Sequence, residues 1–302
     1  MCGICGIAPT DTSLPDQELL ESMQAAIIHR GPDSAGQHVA AGIGLAARRL
    51  SVVDLVTGDQ PMRSEDQNVS LVYNGEIYNH RELRSELESK GHRYYSHSDA
   101  ETVIHSYEEW REASVQRFRG MFAYALWDAR HRRLWLVRDR LGQKPLYYVR
   151  TSAGLLFASE IKSLLRHPTV PLAVDEEARD LYFSVGYVPA PWTMFDGIRK
   201  IPPAHFLLWQ QGQLIVERYW SPPLSLERRG QHKLAARAEL REQLSIAVQE
   251  RLMSDVPLGA YLSGGVDSSV VVGLMAETLD RPVRTYAIGF DEAAGIHPKF
   301  NT

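Results

Sequence analysis

Cys2 is the residue of this chain best placed to act as a nucleophile, because removal of Met1 would make it the first residue. A terminal cysteine carries a thiol and a free α-amine on one residue. That amine titrates at about 7.7–8.0, so at neutral pH it can accept the thiol proton, directly or through a water. Gly3 adds no side chain that would keep a substrate away. This is the arrangement that N-terminal-residue hydrolases use, whereas position alone favours a frayed terminus without function, so residues further along the chain must decide.

Cys2 and Cys5 also form a C-x-x-C spacing, which raises zinc binding and redox chemistry as alternatives. A structural zinc site would need two more ligands, and no H-x₃₋₅-H pair lies near another cysteine. A thioredoxin-like pair normally opens a helix after a strand rather than lying at a terminus. We interpret Cys5 as a small buried residue of a first strand over 4–8 and keep zinc or redox use as the minor alternative.

A second chemical motif spans residues 263–269, with the sequence Ser-Gly-Gly-Val-Asp-Ser-Ser. It follows an apolar run that predicts a strand over 256–262, and an apolar run that predicts a helix begins at Val270. Small residues between a strand and a helix let backbone N–H groups and the helix dipole meet an anion. The segment lacks the lysine of a Walker A loop and the glycine spacing of a dinucleotide fingerprint. We interpret it as an anion-binding loop.

Hydrophobic periodicity predicts the elements that position these residues. Helices are predicted over 15–29, 79–90, 101–110 and 233–253, and further strands over 43–50, 69–73, 121–127, 134–137 and 283–290. The pair Asn74-Gly75 is a strong turn signal after the second of these strands. Strands that are apolar on both faces indicate two sheets covered by helices. Residues 221–230 contain proline and charge without an apolar period, as expected of an interdomain linker.

Composition excludes several classes of function. The chain has 302 residues, 44% hydrophobic and 23% charged, which is ordinary for a globular protein of about two domains. A net charge of −4 gives no reason to expect nucleic acid or an acidic membrane surface as a partner. No apolar run approaches the roughly 20 residues of a membrane span, and no signal peptide is recognisable. Two cysteines without a disulfide framework favour the cytoplasm.

Five segments in the first half of the chain resemble the class II glutamine amidotransferase domain, and the segment 263–269 resembles the PP-loop of ATP pyrophosphatases. The first five are Cys2-Gly3-Ile4, Arg30-Gly31-Pro32-Asp33, Arg49-Leu50-Ser51, Asn74-Gly75-Glu76-Ile77-Tyr78-Asn79 and Asp99. In this order the two parts resemble the glutamine-dependent asparagine synthetase family, from residue 2 to about 290. The resemblance implies an Ntn-hydrolase αββα sandwich over 1–218, followed by an incomplete PP-loop α/β domain over 219–302.

The resemblance implies a role for each matching residue of the first domain. Cys2 would attack the glutamine carboxamide, release ammonia and leave a thioester for water to hydrolyse. Asn74 and the backbone N–H of Gly75 would hold the oxyanion, at about 2.7–4 kcal/mol for each donor. Arg49 would bind the α-carboxylate and Asp99 the α-amine. Further glutamine contacts are expected from Leu50, Val52 and Glu76, whereas Arg48 is expected to be a solvated surface charge.

For the second domain the resemblance implies ATP and Mg²⁺ as cofactors and glutamine, aspartate and ATP as small-molecule partners, with a homodimer as a further expectation. Asp267 is the expected Mg²⁺ ligand. A simple glycine turn capped by Asp and Ser is the alternative interpretation of this loop. The residues expected to bind ATP are Leu262, Ser263, Gly264, Gly265, Asp267, Ser268, Ser269 and Ile288, with Gly289 beside the adenosine.

The chain also departs from this family, because a synthetase of this type continues for a couple of hundred residues beyond the PP-loop. Two parallel strands and one helix are too little for a doubly wound sheet. We therefore expect glutaminase chemistry from this chain and doubt complete asparagine synthesis by it alone, as for a truncated product or half of a split enzyme. Two other readings stay open: amidation of a different carboxylate, and a non-catalytic remnant that binds a partner.

Overall fold

The computed structural model describes residues 1–223 and 233–289. The chain divides into two compact units, Met1–Pro223 and Leu224–Thr302. The expected linker over 221–230 and the strand end at 290 lie largely outside the described residues. No helix in the described part of the chain is long and apolar enough to cross a membrane.

Two antiparallel six-stranded sheets form the centre of the first unit. The first sheet has the order β10-β8-β9-β1-β3-β2, and the second has the order β12-β11-β7-β6-β5-β4. Their strands are β1 Gly3–Ala8, β2 Ser34–Ala40, β3 Ile43–Arg49, β4 Met62–Arg63, β5 Val69–Ile77, β6 Gly120–Asp128, β7 Arg133–Arg138, β8 Tyr147–Thr151, β9 Gly154–Ala158, β10 Arg199–Lys200, β11 His205–Gln210 and β12 Gln213–Arg218.

Helices cover the outer faces of both sheets. They are α1 Gln17–Ala25, α2 His80–Ser89, α3 Asp99–Trp110 and α4 Ile161–Leu164, with 3₁₀ turns at Ile28–Arg30 and Arg111–Arg117. A further helix, α5 Glu176–Val185, buries only Ala178. Leu20 and Met23 of α1 pack on the outer face of the first sheet. Val103 and Tyr107 of α3 pack on the outer face of the second sheet. This layering confirms the expected αββα sandwich.

Side-chain alternation along the strands produces these layers. In β1, Ile4 enters the core between the sheets, whereas Cys5 enters the core under α1. In β5, Val72 faces the space between the sheets and Tyr73 faces α3. The interpretation of Cys5 as a buried strand residue is thereby confirmed, since its side chain is fully buried.

The turn expected at Asn74-Gly75 is wrong, because β5 continues through both residues to Ile77. Gly75 is needed here for close packing rather than for a turn. A Cβ atom at this position would lie 2.5 Å from the Met121 carbonyl oxygen and 2.6 Å from the Phe122 Cα on β6. The short-range turn signal therefore gave the wrong local structure at these two residues.

The second unit contains α6 Lys233–Glu250, β13 Gly259–Tyr261, α7 Val266–Thr278 and β14 Arg284–Tyr286. The two strands pair in parallel, with Ala260 opposite Thr285. Helix α7 begins four residues earlier than the sequence indicates, at Val266 rather than Val270. This places Asp267, Ser268 and Ser269 in its first turn. The expected parallel α/β arrangement with few strands is observed in the described residues.

Candidate active site

A cleft of the first unit gathers most of the residues that the sequence singles out. It lies beside the start of β1 and the second half of β5. Its lining comprises Cys2, Arg49, Leu50, Val52, Val53, Gly58, Gln60, Tyr73, Gly75, Glu76, Ser98 and Asp99. Six predicted site residues besides Cys2 are among them, and together with Cys2 they come from four separate stretches of the sequence.

Cys2 is half-buried, and its Sγ lies 3.6 Å from the Leu50 carbonyl oxygen, to which the thiol donates. Burial raises the pKa of the Cys2 thiol, while the positive charges of the amino terminus and Arg49 oppose the rise. In the chain that still carries Met1, burial lowers the pKa of the terminal amine. The thiol is therefore protonated at neutral pH and needs a base before it can act as a nucleophile.

Asn74 lies beside this cleft in the middle of β5, with its side chain almost completely buried. Its side chain shares the inter-sheet face of β5 with Val72. Cys2 continues the alternation of Ile4 along β1, which packs against β5, and so faces the same space. The Asn74 Nδ2 has no hydrogen-bond partner among the described residues. A buried amide donor without an acceptor costs free energy unless a ligand supplies the acceptor.

The backbone N–H of Gly75 points toward the cleft edge of β5. The Asn68 carbonyl and the Tyr78 N–H both form backbone hydrogen bonds on the β6 side of β5. Backbone groups of even-numbered residues in β5 therefore face β6. The N–H groups of odd-numbered residues face the other edge. There the Tyr73 N–H donates to Gln60 Oε1 at 2.7 Å, and the Ile77 N–H donates to Asp99 Oδ2 at 2.8 Å. The Gly75 N–H lies between these two, on the cleft side.

Arg49 is anchored at the end of β3, with only 6% of its side chain exposed. Its Nη2 donates to the Val53 carbonyl at 3.2 Å and to the Asp54 carbonyl. Its Nη1 lies 3.1 Å from Oδ1 of Asp59, whose side chain is 74% exposed. The Asp59 carboxylate is thus an exposed and exchangeable partner for a buried guanidinium. A carboxylate from a ligand could take its place.

Asp99 is the first residue of α3, and Ser98 caps the helix by accepting from the Ala100 N–H at 3.2 Å. Asp99 itself therefore does not cap the helix, although an Asp just before Glu101 and Thr102 could also be a helix cap on sequence grounds. Its Oδ2 accepts from the Tyr73 hydroxyl at 2.6 Å and from the Ile77 N–H at 2.8 Å. Burial raises the pKa of the Asp99 carboxyl to about 6, although these hydrogen bonds oppose the rise. Asp99 therefore gains its negative charge only near neutral pH.

Lys144 is a charged residue near the cleft that the sequence analysis missed. It is 5% exposed, and its backbone N–H donates to Asp139 Oδ2 at 2.9 Å. Burial lowers the pKa of Lys144, while Glu76 and Cys2 raise it, so its ammonium group is electrostatically coupled to both. A lone lysine beside a proline carries no sequence signal for burial, because lysine is usually exposed. Gln60 and Tyr73 were missed for the same lack of a local pattern.

The loop Arg30-Gly31-Pro32-Asp33 holds the start of β1 in place. Arg30 Nε donates to the Cys2 carbonyl at 2.9 Å, and its Nη1 lies 3.0 Å from Glu160 Oε1. Asp33 Oδ2 accepts from the Ser51 N–H at 2.8 Å. Arg48 donates from Nε to the Gly31 carbonyl at 3.0 Å and is half-buried, so its expected role as a solvated surface charge is wrong.

In the second unit the loop 263–265 joins β13 to α7. Gly264 has a φ of +79°, a conformation that favours glycine, and a Cβ atom there would meet nothing within 4 Å. Ser268 Oγ donates to the Gly265 carbonyl at 3.1 Å and lies 3.2 Å from Ser263 Oγ. The loop is exposed and open on the side of the helix N-terminus. Leu262 is half-buried, while Ile288 is exposed beyond β14.

These features fit a nucleotide phosphate and one hard cation. Open space over a glycine with positive φ and a helix N-terminus suits an anion. Asp267, in the first turn of α7, supplies one exposed carboxylate, and Mg²⁺ is commonly held by one or two carboxylates together with substrate phosphates.

The fold and the cleft define a class: a two-sheet amidotransferase sandwich with a cysteine at the start of its first strand. The chain belongs to the glutamine amidotransferase domain family, whose model matches residues 1–220, and residues 239–299 match the asparagine synthase family.

Curated relatives extend the similarity across both units. The chain is 35% identical to the glutamine-hydrolyzing asparagine synthetase 1 of Bacillus subtilis (strain 168) over 97% of this chain and 46% of that protein. It is 36% identical to asparagine synthetase 3 of the same organism, over 97% of this chain and 48% of that protein. The chain thus spans about half the length of these relatives.

A solved structure shows the same fold. The glutamine phosphoribosylpyrophosphate amidotransferase of B. subtilis superposes with a TM-score of 0.51 at 17% identity, covering 97% of this chain and 70% of that chain.

The environments of the two cysteines predict different thiol reactivities. Burial raises the pKa of Cys5 to about 12, and its side chain is fully buried, whereas Cys2 is half-buried in the cleft. We expect iodoacetamide to label Cys2 in the folded protein and to leave Cys5 unlabelled, with faster labelling of Cys2 at pH 8 once Met1 is removed. Peptide mass spectrometry with and without denaturant measures both sites. Equal labelling of Cys5 in the folded protein would contradict the described burial.

Proposed function

We propose that this chain hydrolyses glutamine at Cys2 and supplies ammonia for the ATP-dependent amidation of aspartate to asparagine. The observation that carries the glutaminase half is the buried Asn74 Nδ2, a hydrogen-bond donor without an acceptor that faces the same space as Cys2. The family membership and the relatives' names support the same half and extend the proposal to aspartate.

The proposed reaction begins after removal of Met1, when the α-amine of Cys2 takes the proton of its own thiol. The thiolate attacks the carboxamide carbon of glutamine, and a C–S bond forms while the carbonyl oxygen becomes an oxyanion. Collapse of this intermediate breaks the C–N bond, and the protonated amine gives its proton to the departing ammonia. Water then hydrolyses the thioester, with the same amine as base, to give glutamate and the free thiol.

Asn74 Nδ2 and the Gly75 N–H are the proposed donors to the oxyanion. Both belong to consecutive residues of a central strand, so neither has to move when the charge develops. Glycine is required at the second position because a Cβ would collide with β6. The nearby ammonium group of Lys144 adds positive potential that favours the thiolate and the oxyanion.

Arg49 and Asp99 are proposed to hold the two ends of the glutamine backbone. The substrate α-carboxylate displaces Asp59 from the buried Arg49 guanidinium, and the α-ammonium group pairs with Asp99. Glu76 adds a second carboxylate on the amine side. Leu50 and Val52 line the cleft beside these contacts.

The loop 263–269 is proposed to hold the phosphates of ATP. Gly264, Gly265 and the Ser263, Ser268 and Ser269 hydroxyls surround the phosphate position, and Leu262 and Ile288 border the adenosine. Bound Mg²⁺ would neutralise phosphate charge, with Asp267 as its protein ligand.

A free catalytic thiol supports a reducing, cytoplasmic location, which we propose with the function. A homodimer, and the lack of nucleic-acid or membrane partners, stay predictions from the sequence.

The proposed glutaminase is tested by ammonia release from glutamine. We expect Cys2→Ala to abolish release and Asn74→Ala to lower kcat by about 10²–10³, the usual effect of removing one oxyanion donor. Cys5→Ala is the matched control and should keep nearly full kcat, because Cys5 only fills the core under α1. Loss of activity in Cys5→Ala with an unchanged fold would favour the C-x-x-C alternatives instead. Full activity of protein that retains Met1 would contradict the α-amine as base.

Glutamine binding should weaken in acid because Asp99 titrates at about 6. A raised carboxyl pKa means that the charge is present above about pH 6 and is lost as the pH falls below it. The glutamine Kd of the Cys2→Ala protein, measured by calorimetry, should therefore rise by up to about tenfold per pH unit below 6. Asp99→Asn should bind weakly at every pH in this range. The same slope in Asp99→Asn would assign the titration to another group.

The synthetase half is tested by pyrophosphate release from ATP and aspartate with free ammonia. The proposed aspartate step requires pyrophosphate release by the wild-type chain in spite of its few parallel strands, and Asp267→Asn should lower that release about tenfold or more because it removes one charged ligand. Glu277→Gln, later on the same helix, is the control. Pyrophosphate release with glutamate in place of aspartate would identify another acceptor. Failure with every acid, while ammonia release from glutamine persists, would leave a glutaminase without synthetase activity.

A further inference from the structure

Three side chains on the far side of the second sheet form a cluster that the proposed reaction does not use. His92 lies in the connection between α2 and α3, while His105 and Glu108 lie one turn apart on α3. Nδ1 of His92 is 3.2 Å from Nδ1 of His105 and 3.6 Å from Oε2 of Glu108. Nδ1 of His105 is 3.1 Å from the same Oε2. Three ligating atoms thus form a small triangle.

The size of this triangle fits a tetrahedral metal site. Zinc–nitrogen and zinc–oxygen bonds of about 2.0–2.2 Å place neighbouring ligand atoms about 3.3–3.5 Å apart. The three observed separations between ligating atoms, 3.1, 3.2 and 3.6 Å, lie just below or just above this range. The sequence separation also fits, because residues three apart on a helix present their side chains to the same side.

The outer nitrogen atoms of both imidazoles face carboxylates. Nε2 of His105 lies 3.3 Å from Oε1 of Glu101, and Nε2 of His92 lies 3.6 Å from Oε2 of Glu109. Histidines that bind a metal usually donate their other N–H to a carboxylate or a carbonyl, which orients the ring and makes the ligating nitrogen more basic. His105 shows this arrangement with Glu101, and the Glu109 carboxylate lies behind His92 at a separation slightly longer than a hydrogen bond.

The three proposed ligands differ in how deeply their side chains are buried. The side chains of His105, His92 and Glu108 are 1%, 15% and 25% exposed, so one ligand is fixed in the core and the other two border solvent. A metal could therefore enter from the surface, and a water could take the fourth position.

We propose that His92 Nδ1, His105 Nδ1 and Glu108 Oε2 bind a divalent metal ion of the zinc class. This site is separate from the C-x-x-C spacing of Cys2 and Cys5. It would link the 90–98 connection to α3, because Glu101 also accepts from the backbone N–H groups of Tyr95 and Ser96 at 2.8 Å each. The bound metal would stabilise the folded state by the free energy of its binding.

A proton is the rival occupant. Burial lowers the pKa of His105, but Glu101 and Glu108 raise it further, to about 9, so an imidazolium ion could satisfy the same carboxylates. A proton on His105 would not require His92 as a partner, whereas a bound metal would require all three ligands. Variants at His92 and Glu108 therefore distinguish the two.

The test uses the full chain with Cys2→Ser, which removes the terminal thiol as a competing zinc ligand. After treatment with a chelator, zinc chloride is titrated by calorimetry, and thermal unfolding is followed with and without zinc. We expect about one equivalent to bind and Tm to rise. Cobalt(II) in place of zinc should give the visible absorption of a four-coordinate site.

Matched variants identify the ligands. His92→Gln and Glu108→Gln should weaken zinc binding more than about 100-fold, and Glu109→Gln should weaken it about 10–100-fold by removing the carboxylate behind His92. His97→Gln, an exposed histidine of the same connection, should bind zinc as the parent does. Glu108 is partly exposed, so its variant should fold even if His92→Gln does not. No zinc binding by the parent, or binding unchanged in Glu108→Gln, would overturn the proposal in favour of a proton.

Discussion

Alternation along antiparallel strands is the constraint on which the candidate site depends. Since side chains change face at every residue, Cys2 follows Ile4 into the space between the sheets, and Asn74 follows Val72 into the same space. Backbone groups alternate in the plane of the sheet in the same way, which turns the Gly75 N–H to the open edge of β5. A shift of β5 by one residue would turn the Asn74 side chain to the other face of the sheet and the Gly75 N–H toward β6.

The sequence predicts the chemistry of the candidate site better than it predicts the local structure of that site. Residue type and family resemblance identified Cys2, Arg49, Asn74, Gly75 and Asp99 as site residues. The αββα layering came from the resemblance, with which the apolar strands agree. The turn predicted at Asn74-Gly75 is wrong because a turn signal describes only local conformational preference, whereas the conformation of these residues is decided by pairing with β6. Tertiary packing alone places Gln60 in the cleft and Lys144 near it, and no local sequence pattern predicts such packing.

The site also keeps polar groups that a core optimised for stability would not contain. An unpartnered amide at Asn74 and a buried carboxyl at Asp99 both cost folding free energy. The surrounding structure supports them: β5 is paired with β6 over its whole length, and Tyr73 and Ile77 both donate to Asp99. Such groups are expected where a ligand supplies the missing partner.

Helix α3 connects two of these polar regions through one rigid element. Its first residue, Asp99, lines the cleft, while His105 and Glu108 belong to the histidine cluster one to three turns further along. Glu101 lies between them, fully buried, and bonds both to His105 and to the connection that precedes the helix. Because a buried carboxylate must be matched by donors or cations, Glu101 depends on hydrogen bonds from both sides of the helix start. The cleft residue Asp99 and the proposed metal ligands His105 and Glu108 therefore lie on one helix, which Glu101 ties to the preceding connection.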